Sequence, residues 1–313
     1  SATPAVVWLG YGVHGDEVTP SDSAIFIAYH LLAAANNELV DTILDNTIVI
    51  IDPNMNPDGR ERFIHSFISG LGLEPQGDRY AVEHDQPWPR GRFNHYVFDL
   101  NRDWFSLTQP ETELRVEAML DWHPVVFVDS HEMGGDLTYF FPPSAEPFNP
   151  NITDGQRAKQ EQLGRNMARY FDDFGEPYFT REIFGAFYPG YGDMWPTLNG
   201  AVAMTFEQGS PRGLIFDRRN GTTLTYNEGV RNNVLSSLAT LEVVARNKNT
   251  YLTDYGTYRR TAISEAEGAS DRYVVIDLAT ARYEAEAMAR RLSTQGISVQ
   301  RVPAGRTHCG TRY

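Results

Sequence analysis

The segment VVWLGYGVHGDE, residues 6–17, offers two competing chemistries. Gly10, Gly12 and Gly15 follow an apolar run in the G-x-G-x-x-G spacing of a dinucleotide-binding loop. His14 and Glu17, in the same loop, are spaced H-x-x-E as a pair of metal ligands would be. A pyrophosphate requires backbone N–H groups in a loop free of negative charge, with a ribose-binding acid about 20 residues further on. Asp16 and Glu17 would sit against the phosphates, and the next strand to end on an acid reaches it only at Asp52. Charge and spacing both turn against the nucleotide.

A catalytic metal needs a third ligand, a base and groups that hold substrate. Three further segments supply such residues where strands end. VVFVDSHE delivers His131, AVAMTFEQG delivers Glu207, and FDLNRDW presents Asn101 and Arg102 side by side. Parallel α/β sheets collect their functional groups beyond the carboxyl ends of the strands. His14, Glu17 and His131 would make a two-histidine, one-carboxylate zinc site with a position left for water. HEMGG, 131–135, starts like the H-E-x-x-H motif but has Gly135 in place of its second histidine, and Ser210 lacks the spacing of a nucleophile elbow.

Together these residues resemble the zinc carboxypeptidase family, the metallopeptidases related to carboxypeptidase A. HGDE at 14–17, NPDG at 56–59, NR at 101–102, DSHE at 129–132 and TFEQG at 205–209 occur in the family's order. His131 lies 114 residues after Glu17 and 76 before Glu207, intervals typical of the family. The resemblance spans about residues 5–250. It implies a three-layer α/β/α fold with a mixed, mostly parallel sheet, and one zinc ion bound by His14, Glu17 and His131. It implies Glu207 as general base, and Asn101 with Arg102 as the pair that receives the substrate's terminal carboxylate. The arginine that polarises the scissile carbonyl falls in WPRGRF, as Arg92 with Arg90 close behind. The mobile tyrosine falls in YPGYGD, as Tyr188 in preference to Tyr191.

The implied activity is metallocarboxypeptidase hydrolysis of peptides with a free C-terminal carboxylate, and the bacterial members imply a secreted or periplasmic location. A zinc amidohydrolase of N-acyl amino acids and a non-catalytic descendant are the alternatives. Two departures concern substrate choice. Glu132 follows the last ligand where the digestive enzymes have serine, and Gly192, before Asp193, is neither a basic nor a large apolar selector.

The elements that must position these groups are legible as alternation. Strands over 5–9, 46–52, 125–130 and 200–206 are interleaved with helices over 21–35, 111–122, 155–172 and 227–248, with Ser21 or Ser23 as the cap of the first. That pattern specifies an α/β domain with a mostly parallel sheet. Residues 60–95 read as irregular and polar, with His65 and His84 solvated; His95 is close enough to the Asn-Arg pair to support it. The family's sheet starts with strands ahead of H-x-x-E, and almost nothing precedes it here, so the domain, 1–261, is expected to be truncated at its N-terminus. Residues 262–313 repeat β-α-β, with strands over 272–277 and 297–302 around a helix over 280–295, as the start of a second, truncated module.

Composition removes other classes. The 41 acidic residues against 27 basic ones give a net charge of −14, which disfavours nucleic acid and anionic membrane surfaces. No apolar run approaches the ~18 residues of a membrane span. Cys309 is the single cysteine, too few for a disulfide framework or a cysteine zinc cluster.

Overall fold

The alternation of AVVWLGY decides its place: Val7, Leu9 and Tyr11 face one way and Trp8 the other, and all are buried. This segment is β1 (Ala5–Tyr11). In the computed structural model, residues 2–269, 273–278, 281–302, 307–308 and 311–312 are described. β1 is followed by α1 (Val18–Ala33), α2 (Glu38–Asn46), β2 (Thr47–Asp52) and α3 (Pro57–Gly70). Then come α4 (Pro110–Trp122), β3 (Val126–Met133), β4 (Tyr139–Phe140), α5 (Asp154–Phe174), α6 (Met194–Leu198) and β5 (Val202–Gly209). The five strands form one sheet in the order β2-β1-β3-β5-β4, parallel except for β4. A hairpin of β6 (Ile215–Asp217) and β7 (Thr223–Thr225) leads into α7 (Tyr226–Arg246).

Helices cover both faces. On one face α1, α2, α5 and α7 bury Ile27, Ile43, Met167, Phe171 and Ala239 against Leu9, Val128 and Met204. On the other, α4 and α6 set Val116, Met119 and Trp195 against Trp8, Phe127 and Ala203. The architecture is the three-layer α/β/α fold with a mixed, mostly parallel sheet that the family resemblance implies. Register completes the arrangement, since His131 of β3 stands beside Glu207 of β5.

Three local expectations change. Helix α1 begins at Val18, directly after Glu17, so Ser21 and Ser23 lie inside it and Ser23 bonds the Pro20 carbonyl instead of capping. Residues 57–70 form a helix, not an irregular stretch: Asn56 caps the Gly59 N–H and Pro57 takes the first turn, where its missing N–H costs nothing. His84 is buried rather than solvated, its Nε2 meeting the Ile215 carbonyl at 3.1 Å.

The C-terminal part differs further. α8 (Lys248–Gly268) runs unbroken through the boundary expected after residue 261, and α9 (Arg282–Thr294) matches the helix expected there. The flanking strands do not form over 273–277 or 297–302; Arg272 and Thr280, like Cys309, lie outside the described residues. Tyr273 and Val274 are 83% and 89% exposed. β-branched residues favour a strand only beside a neighbour to pair and pack with, and these have none among the described residues. α9 instead rests on the layer of α4 and α6: Gln295 accepts from Trp195 Nε1 and donates to the Phe105 carbonyl. The short strands β8 (Thr307–His308) and β9 (Thr311–Arg312) pair with each other. No described helix is long and apolar enough to cross a membrane.

This packing predicts a contrast in stability. Leu9→Ala, at a fully buried central position, should cost about 2–5 kcal/mol, and Val274→Ala should change stability by less than about 0.5 kcal/mol. Urea midpoints at constant slope measure both.

Candidate metal centre

The H-x-x-E pair is held by a tight crossing. After β1 the chain turns at His14, and Gly15 presses on the first turn of α3: a Cβ there would lie 2.1 Å from the Arg60 nitrogen. Only glycine permits that approach, so the glycine of the apparent nucleotide motif serves helix–loop packing. The Glu17 N–H bonds the His14 carbonyl at 3.2 Å, closing the turn that puts both side chains on one side.

Glu17 lies between two imidazoles. Its Oε1 is 2.8 Å from His14 Nδ1 and its Oε2 is 2.9 Å from His131 Nδ1, while the Glu132 N–H donates to Oε2 at 3.0 Å. The outer nitrogens are also engaged. His14 Nε2 meets Asp99 Oδ1 at 3.1 Å, and His131 Nε2 lies 2.9 Å from Asp129 Oδ2, a charge contact poorly aligned for a hydrogen bond. Donor atoms of His14, Glu17 and His131 all fall within 4.8 Å of one another, and all three residues are buried. Two imidazoles and a carboxylate are zinc donors, and carboxylates on the outer nitrogens fix each ring and raise its basicity. The residues present fit a zinc ion.

Of the two candidate arginines, Arg92 reaches this centre. Its guanidinium pairs with Asp99 at 2.9–3.0 Å and comes within 3.3 Å of His14 Nδ1 and 3.7 Å of Glu17 Oε1. Arg90 is exposed and makes no such contact. Asn101 is buried beside the metal donors: its Oδ1 accepts from the Gly192 N–H at 2.6 Å and its Nδ2 abuts His131 Nε2 at 3.0 Å. Arg102 is exposed, donates to the Asn101 carbonyl and stacks 4.5 Å above the Tyr191 ring. It does not pair with its sequence neighbours, since Asp103 caps Thr108 and Gln109 and Asp99 serves His14 and Arg92. Tyr188 packs edge-on against Tyr191 and remains 42% exposed. His95 is exposed, lies 3.8 Å from Asp58 and packs edge-on against Tyr96, and makes no contact with Asn101 or Arg102.

Glu207 completes the centre from β5. Burial pushes its carboxyl up to about 8; Glu17 and Asp129 act in the same direction, and the charges of His131 and His14 oppose them. Burial likewise raises Asp193 and Glu132 to about 7. Glu17 is the exception: burial works against its charged form, but the two imidazoles hold it well below the usual carboxylate range. The sequence reading missed Asp99 and Asp129 as ring-holding acids. Each had a signal: Asp129 precedes His131 by two on a strand, hence on the same face, and Asp99 opens the DLNR turn.

A family model described as zinc carboxypeptidase matches residues 1–291. Over 111 residues the chain is 30% identical to carboxypeptidase D of Mus musculus, a stretch that makes up 35% of this chain and 7% of that protein. The metallo-carboxypeptidase of Burkholderia cenocepacia aligns in structure with a TM-score of 0.58 at 18% identity, covering 80% of this chain and 58% of that one. A Pseudomonas aeruginosa metallo-carboxypeptidase, solved with (2-guanidinoethylmercapto)succinic acid, gives 0.55 at 18% identity, over 78% and 58%. The chain therefore spans a little over half of these solved chains, and at such identity the likeness speaks for the fold.

The ring-holding acids generate a prediction. Asp99→Asn keeps the shape but removes the charge behind His14, and should weaken zinc binding about 10–100-fold. Competition with a chromophoric chelator reads the affinity, and an unchanged value would make Asp99 a partner of Arg92 alone.

Proposed function

This chain belongs to the zinc carboxypeptidase family, and on that premise we propose that it removes the C-terminal residue of peptides, using one zinc ion per chain. The observation that carries this reading is the convergence of His14, Glu17 and His131 beside the buried base Glu207, with two arginines of different surroundings at the rim. A zinc ion held by those three residues supplies Lewis acidity toward water and the scissile carbonyl.

The chain's own residues divide the remaining work. Glu207, raised to about 8, has the proton affinity to take a proton from water and deliver it to the leaving amine. Arg92, fixed by Asp99 against the metal donors, places positive charge where the carbonyl oxygen becomes anionic. Arg102 has no carboxylate at ion-pair distance among the described residues, which leaves its fork for the substrate's terminal carboxylate. Asn101 holds the loop that carries it, and the exposed Tyr188 is free to close over the bound residue.

Glu207→Gln should retain zinc and lose about 10²–10⁴-fold in kcat. Zinc analysis alongside turnover decides the role: loss of the metal would make Glu207 a ligand, and normal activity would end the mechanism.

Arg102→Ala should lose roughly 10–100-fold in kcat/KM on peptides with a free C-terminus and far less on C-terminal amides or esters, with an unchanged Tm. Equal wild-type rates on free-acid and amidated peptides would remove the carboxypeptidase assignment.

A further inference from the structure

Three residues beyond His131 and five beyond Glu207, the chain enters an open pocket of about 310 Å³. Arg79, Tyr80, Asp136, Arg212, Phe216 and Arg219 line it. Three arginines thus meet in one concavity of a chain whose net charge is −14. A single acid answers them: Asp136 pairs with Arg79 at 3.0 Å and with Arg219 at 3.3 Å. Arg212 has no carboxylate at ion-pair distance among the described residues. Its guanidinium and that of Arg79 lie 5.7 and 5.4 Å from the centre of the buried Phe216 ring. The pocket therefore holds a surplus of positive charge, two of its guanidinia resting on the buried Phe216.

The backbone holds Arg212 there against its preference. Its φ is +51°, a left-handed conformation uncommon for a residue with a side chain, and such conformations persist where the surroundings enforce them. Two hydrogen bonds tie this turn to the metal centre. The Arg212 N–H bonds Ser210 Oγ at 3.1 Å, and Ser210 Oγ donates to Glu132, the neighbour of His131, at 2.6 Å.

The pocket shares no lining residue with the cluster of Arg102, Tyr188 and Tyr191. Two of the segments that line it leave the sheet beside the metal centre, 134–137 after His131 of β3 and 212–219 after Glu207 of β5. We propose that this pocket is a subsite for an acidic side chain upstream of the scissile bond, the carboxylate meeting Arg212 and Arg219. This rests on the carboxypeptidase reading and names a substrate preference within it: peptides acidic shortly before their C-terminus.

The test uses the zinc-loaded full chain and acetylated peptides with one common C-terminal residue. Glu, Gln, Lys or phosphoserine is placed in turn at each of the three positions before it. At one position Glu should exceed Gln in kcat/KM by roughly tenfold, Lys should fall below both, and the advantage should shrink with added salt. In the Arg212→Ala, Arg219→Ala double variant the Glu/Gln ratio should approach one. Calorimetry with the amidated Glu peptide reads the pocket without turnover, and the wild type should bind it more tightly than the double variant. Equal rates for Glu and Gln peptides, or a preference that survives both substitutions, would overturn the subsite while leaving the carboxypeptidase reading intact. A phosphoserine peptide that outruns the Glu peptide would overturn the carboxylate assignment in favour of phosphorylated chains. Arginine-dependent binding of the amidated peptide without cleavage of any peptide would uphold the subsite and overturn the carboxypeptidase reading.

Discussion

The Glu17 carboxylate touches both imidazoles and accepts the Glu132 N–H, and so ties the turn after β1 to the end of β3. An isolated carboxylate buried there would cost several kcal/mol of lost solvation. Two rings and a backbone donor offset that cost and keep it ionised. Around it stand five more acids, Asp99, Asp129, Glu132, Asp193 and Glu207, with Arg92 as the cation in direct contact with the metal donors. Burial and mutual repulsion raise the last three, so the centre carries more acid than its own cations can hold charged. Such surroundings favour an added cation at the shared donors, and the rings are oriented to give it nitrogen.

The sheet makes this arrangement affordable in backbone terms. β1, β3 and β5 are parallel neighbours, so their carboxyl ends deliver His14 with Glu17, then His131, then Glu207, along one edge. Alternation along β3 points Asp129 and His131 to the same face, while Val126 and Val128 pack in the core between them and the helices. One strand therefore builds the core and the site with its two faces, and a slip of one residue would exchange them.

What could be seen in the sequence follows from that locality. His14, Glu17, His131 and Glu207 sit within a few residues of strand ends, where apolar alternation stops and polar residues begin. Arg92 stands only narrowly ahead of Arg90 in the sequence because both lie in one irregular loop, and the contact of Arg92 with Asp99 is made through the fold. Asn101 is expected at the substrate carboxylate through the family resemblance alone, and its contacts with the Gly192 N–H and His131, set by tertiary packing, have no signal in the sequence. α3 was hidden by its polar faces, since only Gly59 and Phe63 of its residues are buried and no apolar stripe marks it. The strands expected near the C-terminus show the converse: RYVVID and ISVQRV have strand composition, but pairing is a property of neighbours.

Glu132 joins the two walls of the cleft. Its side chain accepts from the Thr19 N–H at 2.8 Å, from the Thr19 hydroxyl and from Ser210 Oγ, while its own N–H serves Glu17. It thereby fixes the first turn of α1, the end of β3 and the 210–213 turn that presents Arg212. Each buried donor deprived of this acceptor would cost about 1–3 kcal/mol, more than the loop it holds gains from exposed contacts. A serine at this position could not reach all three. The residue that differs from the digestive enzymes next to the metal ligand is therefore a brace, and it makes the position of the basic pocket depend on the geometry of the metal centre.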